Sequence, residues 1–289
     1  MKLGIFTNSI KAASVEELAE RIAGFNLHYA VLDTYPGLTI DLDDPSAKDC
    51  KRIKQAFEQA GVKIAAVGGY SNLLHPVPER RKQVHRRFTG LMRLCEAIDS
   101  PMLCSETGTY HPGSDWDWDP ANGTEQAMEE LVRAVRPLVD AAEGYGIKLG
   151  FEPYVMNVCH SAERAAQLVQ ALGSNYVQLV ADPAGLLTKA TLAHQETVLA
   201  HALQQLTPYL GLVHCEDCSP DPEGHFLWQA AGTGHVAYPI YMNWIAQSGY
   251  EGPFILEHVA EDELPAAREF VRREWESVQP LSPRKEEAH

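Results

Sequence analysis

The feature that most constrains the fold is a regular alternation of short apolar runs with longer helical segments. The apolar runs predict strands at residues 2–7, 29–33, 62–67, 101–104, 147–151, 176–180, 210–213 and 254–256. Between and after them, segments with helical spacing or caps predict helices at 14–24, 45–60, 78–98, 124–145, 161–172, 192–207, 238–248 and 263–278. Eight strand–helix pairs in strict alternation predict an α/β fold with a parallel sheet closed on itself, a single (β/α)8 TIM barrel.

An open, doubly wound sheet is the alternative arrangement of the same units. It is less favoured because the first strand leads into GIFTNSI, which lacks the Gly-rich turn that holds a dinucleotide in such folds. We predict no binding site for an organic cofactor. No linker divides the chain, so we expect one barrel domain over residues 1–280 and a polar C-terminal tail at 281–289.

Composition narrows the class of partner. The chain has 289 residues and a net charge of −15, which disfavours nucleic acid or an anionic membrane as a partner. No apolar run approaches the ~20 residues of a membrane span, and the N-terminus does not read as a signal peptide. The six cysteines are scattered, which at this length indicates reduced thiols and a cytoplasmic location. A homo-oligomer is left open.

The stretch GLVHCEDC at residues 211–218 is the centre of the functional argument. It reads as a short strand that runs into ionisable groups. Strand alternation places Leu212, His214 and Glu216 on one face and Val213 and Cys215 on the other. In a parallel α/β protein, ligands bind at the carboxyl ends of the strands, so His214 becomes a candidate ligand.

Three other strands end in an acid. Glu152 closes KLGFE, Asp182 closes VQLVAD and Glu257 closes PFILE. Each acid alone could be the partner of a basic side chain, and His214 alone could be a core histidine. Together, two glutamates, one aspartate and one histidine form a mixed oxygen and nitrogen set that suits one divalent cation.

Several motifs resemble the xylose-isomerase-like TIM-barrel superfamily, the sugar phosphate isomerases and epimerases that share the fold of AP endonuclease family 2. The motifs are FEP at 151–153, ADPAG at 181–185, VHCED at 213–217, GTGHVAYP at 232–239 and GPFILEH at 252–258. The resemblance implies that Glu152, Asp182, His214 and Glu257 hold one divalent metal ion, with manganese favoured over magnesium, cobalt or zinc. It also implies that Glu152 and Glu257 act as the catalytic acid and base.

The chain departs from the family at three positions near these motifs. Gly185 stands where ketose epimerases usually have a substrate-binding histidine, Pro220 where they have an arginine, and Glu216 where a lysine is common. The resemblance therefore implies the metal ligands but does not identify the sugar. The extra ligands of a three-metal nuclease are also missing, which disfavours DNA repair.

The expected function is that of a divalent-metal-dependent sugar isomerase or epimerase. A cation coordinated by a substrate carbonyl makes the adjacent C–H more acidic, and two facing carboxylates can remove and return the proton. The same chemistry with a leaving group β to that carbon gives a lyase or dehydratase acting on a keto sugar, keto-inositol or keto-glycoside. A sugar-binding barrel without catalysis is a second alternative.

The remaining candidates lie at or just beyond the other strand ends. We expect the substrate pocket to include Tyr70, Glu106, His111, Trp116 and Glu216. Less specific candidates are Asn8, Tyr35, Trp118, Trp228 and His160. His258 follows Glu257, so alternation predicts that it faces away from the site and supports the metal ligands rather than binding the metal itself. The loop at 110–123 is long enough to act as a lid. No phosphate clamp is visible, which slightly favours an unphosphorylated carbohydrate substrate.

Overall fold

All eight predicted strand–helix units are present in the computed structural model, which describes residues 1–221 and 226–278. The predicted tail at 281–289 lies outside this range. The strands are β1 Leu3–Phe6, β2 Tyr29–Leu32, β3 Lys63–Gly68, β4 Met102–Glu106, β5 Lys148–Glu152, β6 Val177–Ala181, β7 Leu210–Pro220, β8 Phe226–Ala230 and β9 Phe254–Leu256. The helices are α1 Val15–Gly24, α2 Ala47–Ala60, α3 Pro78–Ala97, α4 Glu125–Tyr145, α5 Ala162–Leu172, α6 Gln195–Leu206, α7 Tyr238–Ser248 and α8 Leu264–Ser277.

Eight of the strands form a closed parallel barrel. The strands from β1 to β7 pair in chain order, β7 pairs with β9, and β9 pairs with β1. Each helix lies between two successive barrel strands or after the last of them. This closure confirms the predicted (β/α)8 barrel and brings the carboxyl ends of all eight strands to one face.

The ninth strand forms a hairpin that the sequence did not predict. β7 continues seven residues past Val213, to Pro220, and its outer half pairs antiparallel with β8, from Glu216 opposite Ala230 to Pro220 opposite Phe226. The prediction of a strand that ends at residue 213 was wrong because ionisable side chains follow directly. In the structure those side chains stand on a strand that has left the barrel.

The barrel interior is filled by apolar side chains. One cluster contains Phe6, Val31, Ala66, Met102, Cys104, Val180, Leu212 and Ile255. A larger core between the strands and the helices contains Val213 and Cys215. The alternation predicted along β7 is thus confirmed. The filled interior leaves the rim at the strand carboxyl ends as the place for a site.

Local signals fix where the helices begin and end. Ser46 and Asp49 form a reciprocal capping box at the start of α2, and the Ser161 hydroxyl caps α5. Gly61 and Gly146 follow α2 and α4 with φ of 70° and 69°, a left-handed conformation that glycine adopts without steric cost. Within the described ranges, no helix has the length and hydropathy needed to cross a membrane.

Candidate active site

A cavity of about 380 Å³ opens at the carboxyl ends of the strands. Its lining consists of Phe6, Asn8, Asp33, Tyr70, Glu106, Trp116, Glu152, Tyr154, Asp182, Gly185, Glu216, Trp228, Glu257 and His258. A larger hollow of about 650 Å³ lies at the opposite end, among the beginnings of the strands, and none of the predicted ligands lines it. The smaller cavity is therefore the candidate site.

His214 is fully buried and lies between the two glutamates. Its Nδ1 is 3.2 Å from Glu152 Oε2 and 3.0 Å from Glu257 Oε2. Burial alone would lower the pKa of His214, but the two carboxylates outweigh burial and raise it well above the ordinary value. The same imidazole lowers the pKa of Glu257 against the effect of burial. The three side chains thus form one electrostatic unit.

Asp182 joins this unit from the end of β6. Its side chain accepts hydrogen bonds from the backbone N–H groups of Ala184 and Gly185. Burial and the nearby charge of Glu152 raise the pKa of Asp182 to about 7. The Glu216 carboxyl is hydrogen-bonded to Asp182, and burial, followed by Asp182, raises the pKa of Glu216 well above the ordinary value. Burial and their mutual proximity therefore disfavour the simultaneous ionisation of these two carboxyls.

The four predicted ligands have the donor types that a divalent cation accepts. Neither ring nitrogen of His214 has a hydrogen-bond partner of acceptable geometry among the described residues, although the ring is fully buried. Nδ1 lies beside the two glutamates, but Nε2 has no such neighbour, and a buried ring nitrogen without a partner is costly unless something else coordinates it. Three carboxylates and one imidazole supply the donor atoms that manganese, cobalt, zinc or magnesium accept. The structure places Glu152, Asp182 and Glu257 in the cavity lining and His214 beside two of them, and their joint role as metal ligands stays a prediction.

Aromatic side chains set the positions of two of these groups. The Tyr70 hydroxyl donates a 2.6 Å hydrogen bond to Glu152 Oε2. The Phe6 ring meets the His214 ring edge-on, with centroids 5.1 Å apart. Behind the strands, the Tyr241 hydroxyl donates to the carbonyls of Ala181 and His214, which ties the ends of β6 and β7 together.

His258 lines the cavity, and the prediction that it faces away was wrong. The strand alternation stops at Leu256, and His258 adopts a φ of 47°. This left-handed conformation turns the ring inward, where Nδ1 is hydrogen-bonded to Glu216 Oε2. His258 is one of three non-glycine residues with positive φ in the described chain. Such conformations are uncommon outside turns, and they cluster at functional sites.

The other predicted pocket residues divide into two groups. Tyr70, Glu106, Trp116, Glu216, Asn8 and Trp228 line the cavity. His111 does not line it, and its Nδ1 instead accepts from the backbone N–H of Gly113. Tyr35 is buried in the core, and Trp118 packs edge-on against His160 away from the cavity.

Three lining residues were missed by sequence reasoning. Asp33 follows β2 as Glu152 closes β5, so the rule of an acid at a strand end could have found it. Tyr154 lies two residues beyond β5 and contacts Trp228 edge-on, with centroids 5.9 Å apart. Phe6 ends β1, where an apolar residue gives no functional signal.

Asp217 organises the loop that follows the hairpin. It is buried, and its carboxylate accepts from the backbone N–H groups of Cys218, Gly232 and Val236. A Cβ at Gly234 would come within 2.4 Å of Asp217 Oδ1, so only glycine allows this approach. The glycines of the GTGH segment thus have a structural reason.

The cavity is strongly acidic. Six carboxylates line it, from Asp33, Glu106, Glu152, Asp182, Glu216 and Glu257. No lysine or arginine is present in this lining as far as the structure describes the chain. Burial and the charge of Glu152 raise the pKa of Glu106, whose carboxylate also accepts from the Asn157 amide. Such a site attracts cations and repels anions.

Comparison with known proteins places the barrel among solved structures of the same shape. A D-psicose 3-epimerase from Clostridium cellulolyticum H10, solved with D-tagatose, has a TM-score of 0.70 and 18% identity, covering 95% of this chain and 99% of its own. The 3-keto-D-glucoside 4-epimerase YcjR from E. coli has a TM-score of 0.71 and 14% identity, and the alignment covers 94% of this chain and 99% of YcjR. A xylose isomerase-like TIM barrel protein from Mycobacterium smegmatis in complex with magnesium has a TM-score of 0.69 and 17% identity. The alignment covers 93% of this chain and 90% of that protein.

Similarity at these identities concerns the fold. No curated protein sequence matches the chain significantly. The model of one protein family, described as xylose isomerase-like TIM barrel, matches residues 41–274, which is most of the chain. The match includes all four predicted ligands and the loop organised by Asp217. On this evidence the chain belongs to the xylose isomerase-like TIM barrel family.

Proposed function

We propose that this protein is a divalent-metal-dependent sugar isomerase or epimerase that transfers a proton at a carbon next to a carbonyl. The observation that carries the proposal is the placement of Glu152 and Glu257 within 3.2 Å of one buried His214 nitrogen, beside an acidic cavity. Similar structures that are named as sugar epimerases support it.

Glu152, Asp182, His214 and Glu257 would hold the cation. When bound, a divalent cation supplies Lewis acidity, which makes the C–H beside a substrate carbonyl more acidic. The donor set accepts manganese, magnesium, cobalt or zinc, and we favour manganese. Magnesium is present in one similar structure.

The two glutamates are proposed as acid and base. A carboxylate that removes a proton from one side of a carbon and a carboxyl that returns one from the other side invert that centre. Return of the proton to the neighbouring carbon gives aldose–ketose isomerisation. Tyr70 would hold Glu152 in one orientation through its 2.6 Å hydrogen bond.

The cavity favours an uncharged substrate. A sugar phosphate would bring negative charge among six carboxylates without a lysine or arginine in the described lining. Trp116, Trp228 and Tyr154 offer aromatic surface for the apolar face of a sugar ring. We therefore propose an unphosphorylated ketose, keto sugar or keto-glycoside. The free thiols of all six cysteines support the cytoplasm as the location.

Turnover in heavy water on a panel of unphosphorylated ketoses and keto-glycosides tests the proposal. Nuclear magnetic resonance should show deuterium on the carbon skeleton of the substrate or product. The E257Q variant should lose this exchange, and E251Q, which changes an exposed glutamate, should retain it. An unsaturated product would support the lyase alternative. Stoichiometric sugar binding without exchange or turnover would support a binding protein, and either result would contradict the isomerase assignment.

A further inference from the structure

A second cluster of ligand atoms adjoins the four-residue centre. Glu216, Glu257 and His258 each offer one ligand atom, and the three atoms lie within 4.8 Å of one another. No other group of three histidine, cysteine, aspartate or glutamate side chains among the described residues brings its ligand atoms within this distance. We propose that Glu216, Glu257 and His258 bind a second divalent cation, with Glu257 shared between the two ions.

The backbone around His258 is arranged for this contact. Ordinary extended backbone would turn the ring away from the cavity, and a φ of 47° turns it in. The ring then meets the buried Glu216 carboxyl and lies beside Trp228, with centroids 6.4 Å apart. A left-handed residue costs free energy, so a compensating interaction of its side chain is expected.

Charge supports a second cation independently of this geometry. The described lining carries six carboxylates and no lysine or arginine. Glu216 is only 2% exposed, so water cannot compensate its charge.

The donor set indicates which cations would bind. Two carboxylates and one imidazole favour manganese, cobalt or zinc over calcium, which prefers oxygen ligands alone. The proposal adds to the proposed function through the shared Glu257, but Glu216 and His258 belong to the second site alone. Glu152 belongs to the first site alone, so the two sites can be separated by mutation.

Manganese titration of the full chain, stripped with a chelator, tests the second site. Calorimetry and elemental analysis would count ions in the wild type, E216Q, H258N and E152Q. Asparagine tolerates left-handed backbone, so H258N removes the imidazole and keeps the turn. E251Q and H28N alter an exposed glutamate and an exposed histidine and serve as matched controls. Thermal unfolding of each apo variant checks that it folds.

We expect two manganese ions in the wild type and both controls. In E216Q and H258N the weaker ion should be lost or bound at least about 10-fold less tightly. Electron paramagnetic resonance adds a direct signature, because two ions that share a carboxylate couple. The signal of isolated manganese should fall when the second equivalent enters the wild type, and it should not fall in E216Q.

Three results would overturn the second site. The wild type could bind one manganese ion that E216Q and H258N both retain, or it could bind two ions that both variants retain. The third result is a wild type that binds no manganese. One ion that E216Q and H258N lose and E152Q retains would support the second site and contradict the four-ligand centre. Failure of the second site is thereby distinguished from failure of the proposed function.

Discussion

At the scale of single residues, Glu257 is where metal binding and proton transfer can be separated. Replacing Glu257 by Gln keeps the shape and one oxygen for the cation, but removes the base. If proton abstraction limits the rate, kcat should fall by roughly 10²–10⁴-fold while metal content at the first site is retained. Steady-state kinetics and elemental analysis of the same sample measure both. An E257Q enzyme with the kcat of the wild type would exclude Glu257 as the base.

Tyr70 is expected to act as a positioning residue. The Y70F substitution removes the donor of the 2.6 Å hydrogen bond to Glu152. A hydrogen bond to a charged group contributes about 1.5–3 kcal/mol, so kcat/KM should fall about 10–100-fold. The fall should appear in kcat more than in KM, because the hydrogen bond orients a proposed catalytic group rather than the substrate. Y145F, on the outer helix α4, is the control, and equal activity of Y70F and Y145F would contradict the assignment.

At this scale the sequence identified candidate residues where an ionisable side chain stands at the end of a predicted strand. Glu152, Asp182 and Glu257 were found because each is an acid that closes an apolar run, and His214 because it stands on a strand between such acids. His258 was misplaced because a positive φ cannot be read from strand alternation. The roles of all these residues remain predictions.

At the scale of elements, the loop at 110–123 is predicted to cover the cavity. Trp116 lines the cavity, whereas Trp118 packs against His160 outside it. Loss of one aromatic contact to a sugar costs about 0.5–1.5 kcal/mol, so W116A should raise KM by up to about 10-fold. W118A, a matched change in the same loop, should alter KM less than 2-fold in the same kinetic assay.

Deletion of residues 114–119 extends this test. It should weaken sugar binding and leave the metal content intact, because no predicted ligand lies in the loop. Unchanged kinetics of the deletion variant on the true substrate would refute the lid.

The hairpin of β7 and β8 shows why one element escaped prediction. Its strands carry HCEDCSP and FLWQA, with buried acids where a barrel strand would have apolar residues. Residues 214–218 of β7 are buried on both faces although several of them are polar, so no alternation of apolar and polar residues marks this part of the strand. The helices were easier, because serine and threonine caps and following glycines mark their ends locally.

At the scale of the whole molecule, stability should decline in alkaline solution. Burial raises the pKa of the Cys95 and Cys159 thiols to about 12 from an ordinary value of 9.0. Above pH 9 the unfolded chain loses protons that the folded chain keeps, so the free energy of unfolding falls as pH rises. At pH 10 the two thiols lower the free energy of unfolding by about 3 kcal/mol, which lowers Tm by roughly 5–10 °C.

Thermal unfolding between pH 7 and pH 10 measures this decline, and thiol labelling provides a second readout. All six cysteines are buried and free, so the native protein should react slowly with a thiol reagent, and the denatured protein quickly. A Tm that is flat over this range, combined with rapid native labelling, would contradict the buried arrangement.

The barrel as a whole was predictable because eight similar units repeat. An error of one or two residues at a strand end does not change which elements exist, and strict alternation leaves few topologies. The oligomeric state and the identity of the sugar were not predictable, because they depend on surface shape and on loop side chains that follow no period. The filled interior and the convergence of strand ends follow from closure itself.

The central claim is that four strand ends converge on one divalent cation. The most direct measurement is an anomalous difference map from crystals grown with manganese, recorded at the manganese absorption edge. We predict a peak about 2.0–2.3 Å from an oxygen of each of Glu152, Asp182 and Glu257 and from a nitrogen of His214. Absence of a peak bonded to these four side chains, in crystals whose protein binds manganese in solution, would contradict the claim.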